Sequence, residues 1–299
     1  MKNLFRDDNR SWTIRKIIES SVSCFEKNGI DSPRITAETL LVHVLNIRKL
    51  DLYLEQDRLL SETEISDYNR LVYRRLEREP LAYIVGEKGF WSLSFDVNRD
   101  VLIPRPDTEC LVETALAVIP EKKKGDSACR ILDLGTGSGA IILSLAKERP
   151  GHAFFAVDMS VGAVCLASKN ARRNFLEGKV SFFAGYWLDA IKNDHFLFDV
   201  IVSNPPYIRT QDIKTLQPEI HQFEPFLALD GDEDGLKAIR HIVNDAVSYL
   251  ISGGRLILEA GDDQKKDLVE IIEKNGKYRH ISFHRDLTGK TRVVQMEKI

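Results

Sequence analysis

"RILDLGTGSGAIILSLAKE" (Arg130–Glu148) carries the transition on which the fold turns. "RILDLG" is a short apolar run closed by glycine and reads as a buried strand; "AIILSLAKE" reads as the helix after it. Between them Gly135, Gly137 and Gly139 occupy alternate positions. Without a Cβ they let the backbone turn tightly and let a ligand lie against it. The spacing is G-x-G-x-G. A pyrophosphate needs the longer G-x-G-x-x-G cradle at a helix N-terminus, so this loop suits a ligand without phosphates.

The same alternation continues down the chain. Strands are expected at "AFFAVDM", "VSFFAG", "FDVIVSN" and "RLILEAG", with helices at "VGAVCLASKNARRN" and "LKAIRHIVNDAVSYL" between them. Such βαβ repetition gives a parallel, doubly wound α/β sheet with right-handed crossovers. "DDQKKDLVEIIEKNG" is a further helix. "YRHISFHRD" and "TRVVQMEK" flank "LTGK" as a hairpin, so the seven-stranded sheet ends on an antiparallel edge, unlike a dinucleotide dehydrogenase.

Residues 1–79 read as a small all-α bundle. Ile14, Ile17, Ile18 and Phe25 share one helical face; Leu40, Leu41, Val44 and Leu45 form a second stripe behind Ser32 at the N-cap and Pro33. Ser61 and Glu64 are spaced as a capping box before Ile65, Tyr68, Leu71, Val72 and Leu76. Residues 80–103 are expected to be a β-hairpin linker with "VNRD" as its turn, and residues 104–299 the α/β domain, whose first helix Asp107 or Thr108 would cap.

The chain has 299 residues, 29% charged, with net charge −3. Residues 1–80 carry 14 basic and 14 acidic side chains, so neither part has the basic footprint of a duplex-binding protein. Cys24, Cys110, Cys129 and Cys165 form no C-x-x-C and are expected to be reduced and buried, which points to a cytoplasmic protein. No metal site is assigned. "MKNLFRDDNRSW" lacks the apolar stretch of a signal peptide, and no run is long enough to span a membrane.

Ligands of doubly wound sheets bind beyond the carboxyl ends of the strands. Asp158 ends the second strand, where a carboxylate can accept from both ribose hydroxyls of an adenosine or simply face solvent. Trp187 follows the third strand, either stacked on an adenine or a rim or core residue. "NPPY" (Asn204–Tyr207) follows the fourth. Asn204 offers a carbonyl acceptor and the Pro205 carbonyl a second, while Pro205 and Pro206 stiffen the turn and bring no competing N–H. Two fixed acceptors suit a planar NH₂ group, a carboxamide or an adenine amine. The glycine spacing, Asp133 before the loop and Asp158 after the second strand together point to S-adenosylmethionine. With such a cationic methyl donor the two acceptors would orient the NH₂ and favour positive charge on nitrogen during transfer, with the Tyr207 ring beside the donor.

With "SPRITAETLLVHVL", "REPLAYIVGEKGFWSLSFDV", "LIPRPDTECLVE", "FEPFLALDGDEDGL" and "RDLTGKTRVV", these motifs make the chain resemble the HemK-type N5-glutamine methyltransferases of peptide chain release factors over nearly its full length. "NPPY" alone is shared with adenine-N6 DNA methyltransferases; the pairing with "LIPRPDTE" is far more specific. The resemblance implies a class I, Rossmann-like methyltransferase domain and the cofactor S-adenosyl-L-methionine. Gly135, Thr136, Gly137, Ser138, Gly139 and Asp158 would bind that cofactor, with Trp187 near the adenine. Asn204 would touch both cofactor and target, and Pro205, Pro206 and Tyr207 would complete the glutamine pocket. The target is the glutamine of the Gly-Gly-Gln loop of release factors, with residues 1–79 docking the release factor. A monomer that binds no nucleic acid or membrane directly is expected. Tyr186 stands where family members often carry an acid before the Trp, so that side chain supplies no carboxylate to the adenine. Other readings are a ribosomal-protein glutamine methyltransferase, an adenine-N6 DNA methyltransferase, which the neutral bundle disfavours, and a non-catalytic binding module, which the intact "NPPY" and glycine loop disfavour.

Overall fold

The computed structural model describes residues 11–123, 125–191 and 196–299. The stretch "MKNLFRDDNR", read for a leader, lies outside them. The described chain forms two compact units, Met1–Gly86 with Pro218–Phe223, and Glu87–Gln217 with Glu224–Ile299. The division falls after Gly86, and the β-hairpin counts with the second unit.

In the first unit, helices α1 (Ile14–Lys27), α2 (Pro33–Leu45), α3 (Asp51–Leu54), α4 (Glu62–Leu76) and α5 (Leu81–Val85) close around one core. Ile14, Ile17, Phe25, Leu40, Leu41, Tyr68 and Val72 are buried in it, whereas Val44, Leu45, Ile65 and Leu76 pack at its margin. The Ser61–Glu64 capping box forms as its spacing dictates. Ser32 does occupy the N-cap of α2, but at φ +48° and without a side-chain cap bond; Pro33 sets the first turn instead. Arg75, itself buried, binds Glu219 at 2.8 Å, which fixes the Pro218–Phe223 segment within this unit.

The second unit opens with strands β1 (Glu87–Phe90) and β2 (Leu93–Asp96). The expected turn at "VNRD" is wrong. Phe90 pairs with Leu93, so the chain reverses at Trp91 and Ser92, with Trp91 at φ +54°. β1 is mostly polar, with Glu87 paired to Arg173, so the apolar signal began one strand late. Asn98 and Asp100 do bond locally, but the next elements are a short turn of helix at Pro106–Thr108 and the helix that follows it, with no hairpin strand directly after them.

After α6 (Glu109–Val118), the chain alternates β3 (Arg130–Leu134), α7 (Ala140–Glu148), β4 (Ala153–Asp158), α8 (Val161–Arg173), β5 (Val180–Ala184) and β6 (Phe198–Ser203). It then runs through α9 (Lys237–Ala246), β7 (Leu250–Glu259), α10 (Lys265–Asn275), β8 (Tyr278–Arg285) and β9 (Thr291–Lys298). Among the described residues, seven strands make one sheet in the order β5-β4-β3-β6-β7-β9-β8, parallel except for β9 and β8. Leu132, Leu134, Ile201, Leu256 and Leu258 from its centre pack with Ile239, Ile242 and Val243 of α9. β3 and β6 are neighbours, with Leu134 opposite Ser203, so the glycine loop and "NPPY" leave the sheet side by side at its switch point. All four cysteines are free, but the expectation of burial holds for Cys110 only: Cys24 and Cys129 are half-buried, and Cys165 is exposed on α8. Among the described residues no helix is long and apolar enough to cross a membrane.

Candidate active site

A cavity of about 390 Å³ opens at this switch point. Gly135, Thr136, Gly137 and Ser138 line it, as do Asp158, Tyr186, Trp187, Asn204 and Pro206. Gly139 does not. At φ +83° it starts α7, and a Cβ there would stand 3.1 Å from Leu143 and 3.2 Å from Ala167, so it serves packing against α8. Pro205 and Tyr207 are also absent from the lining.

The carboxylate of Asp158 accepts the Gly137 amide at 2.8 Å and the Ser160 amide at 2.9 Å. It thereby joins the glycine loop to the end of β4, and burial raises its pKa against those two bonds. A carboxylate has more acceptor sites than two amides use, and those remaining suit vicinal hydroxyls. Asp133, before the loop, is fully buried; it accepts from Thr136 Oγ1 at 2.7 Å and is pushed up to about 7 by burial. Trp187, at φ +45°, lays its ring on the loop: a Cβ on Gly135 would meet it at 3.3 Å. Tyr186 lies edge-on to Trp187, with ring centres 6.0 Å apart, so the position presents an aromatic ring to the cavity.

Asn204 Nδ2 donates to Thr108 Oγ1 at 3.2 Å, which leaves Oδ1 for a ligand. Thr108 therefore does not cap α6, nor does Asp107: no side-chain cap forms, and Asp107 pairs with Arg292. The Tyr207 hydroxyl donates to Glu259 Oε1 at 3.1 Å, away from the cavity. Gln264 Nε2 holds the Tyr207 carbonyl at 3.0 Å. Glu259 is buried at the end of β7, and burial pushes its carboxyl up to about 7.

Three contributors were not legible as chemistry. Thr108 looks like a helix cap. Glu259 looks like the last residue of a strand, and only its acidity at the end of an apolar run marks it. Glu224 sits in "FEPFLAL", a motif without evident chemistry. Its buried carboxylate accepts the Ile103 amide at 3.1 Å and pairs with Arg105, which pins Pro225–Ala228 at the cavity edge. Apart from the cavity, Asp189, His241 and Asp245 bring ligand-type atoms within 4.8 Å of one another on the partly exposed side of α9, as an ordinary surface cluster.

The sheet order, and the use of one switch point for both a short glycine loop and a carboxamide acceptor, place the chain among class I S-adenosylmethionine-dependent methyltransferases. The cavity fits that cofactor: glycines without Cβ face it, a partly satisfied carboxylate stands at the neighbouring strand end, and aromatic rings close one side. When bound, S-adenosylmethionine supplies an electrophilic methyl group on a sulfonium. Residues 125–298 match the model of a methyltransferase domain family, and residues 16–86 that of the PrmC N-terminal domain. Human methyltransferase 10 domain containing protein shares the fold, at 19% identity and TM-score 0.52 over 69% of this chain and 88% of that one. A release factor glutamine methyltransferase of Coxiella burnetii is 42% identical over 88% of this chain and 91% of its own length. One of Rhodopirellula baltica is 36% identical over 96% and 97%. The chain belongs to the release factor glutamine methyltransferase family.

Proposed function

We propose that the protein transfers the methyl group of S-adenosylmethionine to the side-chain amide nitrogen of the glutamine in the Gly-Gly-Gln loop of peptide chain release factors. The observation that carries this reading is the Asn204 amide, with its NH₂ committed to Thr108 and its oxygen left for a ligand at the glycine-loop cavity. Asn204 Oδ1 and the Pro205 carbonyl accept from the substrate NH₂. An amide nitrogen is a poor nucleophile because its lone pair is delocalised. Two fixed acceptors align it and stabilise the positive charge it gains. The cationic N-methyl amide then loses a proton readily to water. Pro206 walls the pocket, and Tyr207 holds the turn through Glu259 rather than by presenting its hydroxyl to the substrate. Asp158 receives the ribose hydroxyls, and Trp187 with Tyr186 flanks the adenine.

The helical residues at the N-terminus dock the body of the release factor, and the enzyme acts as a cytoplasmic monomer. The near-complete coverage of the curated relatives, whose names state the release factor as substrate, supports this reading. Peptide mass spectrometry of a release factor incubated with enzyme and cofactor tests it. One methyl on the amide of the Gly-Gly-Gln glutamine is expected. An unmodified factor, or a methyl placed on a ribosomal protein instead, contradicts it.

A further inference from the structure

The motif "FEPFLAL" (Phe223–Leu229) has one titratable side chain, Glu224, which is buried outside the cavity lining, yet Pro225–Ala228 borders the cavity. Phe226–Ala228 is a single 3₁₀ turn, and it is tied at both ends. Before it, Glu224 accepts the Ile103 amide on Oε2 at 3.1 Å and pairs with Arg105 through Oε1. After it, the Ile208 amide donates to the Leu229 carbonyl at 3.1 Å, and the Gly231 amide donates to the Ile208 carbonyl at 2.8 Å. The first tie leads into "LIPRPDTE", whose Thr108 holds Asn204; the second falls one residue beyond "NPPY". The turn is thus strapped across the two motifs that place the acceptor amide. None of these ties involves the glycine loop, Asp158 or Trp187.

The side chains on this turn are unusual for a surface turn, where small, polar or turn-forming residues are the rule. Phe226 is 52% exposed and Leu227 64% exposed, although both line the cavity. Two large apolar groups held side by side in water, at the mouth of a reaction cavity, mark a contact surface rather than a core. A small ligand seated in the cavity covers its inner wall and leaves such outward groups wet. A polypeptide that carries the reacting glutamine must cross the mouth, and it covers them. We propose that Phe226 and Leu227 form an apolar lip that grips the chain of the protein substrate beside the reacting glutamine, as specificity-determining residues, and that Glu224 is the positioning residue that holds this lip on the acceptor side. The inference rests on the protein substrate of the reaction proposed above. The lip offers no hydrogen-bonding side chain, so it reads apolar surface and shape, and by excluding water it strengthens the acceptor bonds of Asn204.

The test measures kcat and KM with intact release factor, the Kd for S-adenosylhomocysteine by calorimetry, and the urea midpoint, all on the full chain. Phe226→Ala and Leu227→Ala truncate exposed side chains and leave the ties of the turn in place. Each is expected to raise KM about fivefold or more, with the loss lying in KM rather than kcat, as for binding shared by ground and transition states. Kd stays within about threefold of wild type, the urea midpoint is unchanged, and Phe226→Tyr, which keeps the ring, recovers KM to within about threefold. Glu224→Gln keeps the shape of the tie and removes its charge, so KM rises with it. Combined with Phe226→Ala it gives less than the product of the two single effects, since both act through one lip. A KM near wild type when both lip residues are alanine overturns the lip. So does a rise in KM matched by an equal loss of S-adenosylhomocysteine affinity, which gives the two side chains to the cofactor, and so does a loss confined to kcat. A normal KM in Glu224→Gln removes the positioning role; if that variant does not fold, the lip residues decide alone. If wild type leaves the glutamine of the factor unmodified, the substrate reading falls and takes the lip with it; if wild type modifies it and the lip variants match its KM, only the lip falls.

Discussion

Asp158 bonds the backbone of the glycine loop and, on the reading above, the ribose of the cofactor. Removing it therefore strips hydrogen bonds to a charged group and loosens the loop through Gly137. Asp158→Ala is expected to weaken S-adenosylmethionine and S-adenosylhomocysteine alike, by roughly 1.5–3 kcal/mol. Calorimetry with both ligands checks this, and unchanged affinities would remove the assignment. Asp133 and Glu259 carry a different consequence. Both are buried carboxyls held near 7, above the ordinary carboxylate range. Folding thus favours their protonated forms. That stability is fully present below the unfolded pKa and is lost as pH rises through about 7. Without ligand, the unfolding free energy should fall between about pH 5 and pH 8, by roughly 2 kcal/mol for each group. In Asp133→Asn the fall should shrink by about one group's share, as read from urea melts at the two pH values. An identical pH dependence in wild type and variant would refute the burial account.

Beyond single side chains, β3 and β6 decide what the site can be. Their adjacency was legible, because alternating strands and helices, a glycine loop and a proline-stiffened turn leave few topologies open. The edge hairpin of β8 and β9 was legible for the same reason. The reversal at Trp91 was not: a polar strand and a left-handed Trp give no alternation to read. Nor was the role of Thr108, since a hydroxyl at a helix start reads as a cap until its real partner, Asn204, is seen across a gap in sequence of almost a hundred residues. The turn after β6 is held from behind by Gly235, at φ +76°, where a Cβ would stand 2.5 Å from the Tyr207 carbonyl oxygen and 2.7 Å from Gln264 Nε2. Gly235→Ala should therefore displace the Tyr207 backbone, costing about 1–3 kcal/mol of stability through strain. Its kcat should fall more than its cofactor affinity does. Chemical denaturation with steady-state kinetics checks both, and a variant as stable and as fast as wild type would show the turn to be slack.

At the scale of the whole molecule, the two units differ in what they contain. The second contains the cavity and all the site residues named above, while the helical unit has its own core and, among its described residues, no catalytic constellation. A glutamine pocket reads a carboxamide and little around it, so choice of one glutamine in one protein needs contacts elsewhere. A chain beginning at Glu87 should still bind cofactor but methylate intact release factor far more slowly, while a short Gly-Gly-Gln peptide should be an equally poor substrate for both chains. Equal rates on the intact factor would make the helices merely structural. The helical character of this unit was legible from its stripes and capping box; its extent to Gly86 and its capture of Pro218–Phe223 were not, because the buried Arg75–Glu219 pair joins residues far apart in sequence. The central claim, that the Asn204 carboxamide accepts from the reacting nitrogen, is met most directly by single-turnover methylation of intact release factor at saturating cofactor, comparing wild type with Asn204→Ala. The account predicts a rate lost by at least about a hundredfold, the scale of one preorganised group removed from a transition state, with S-adenosylhomocysteine affinity largely kept. A rate near that of wild type, or a loss explained by cofactor affinity alone, would contradict it.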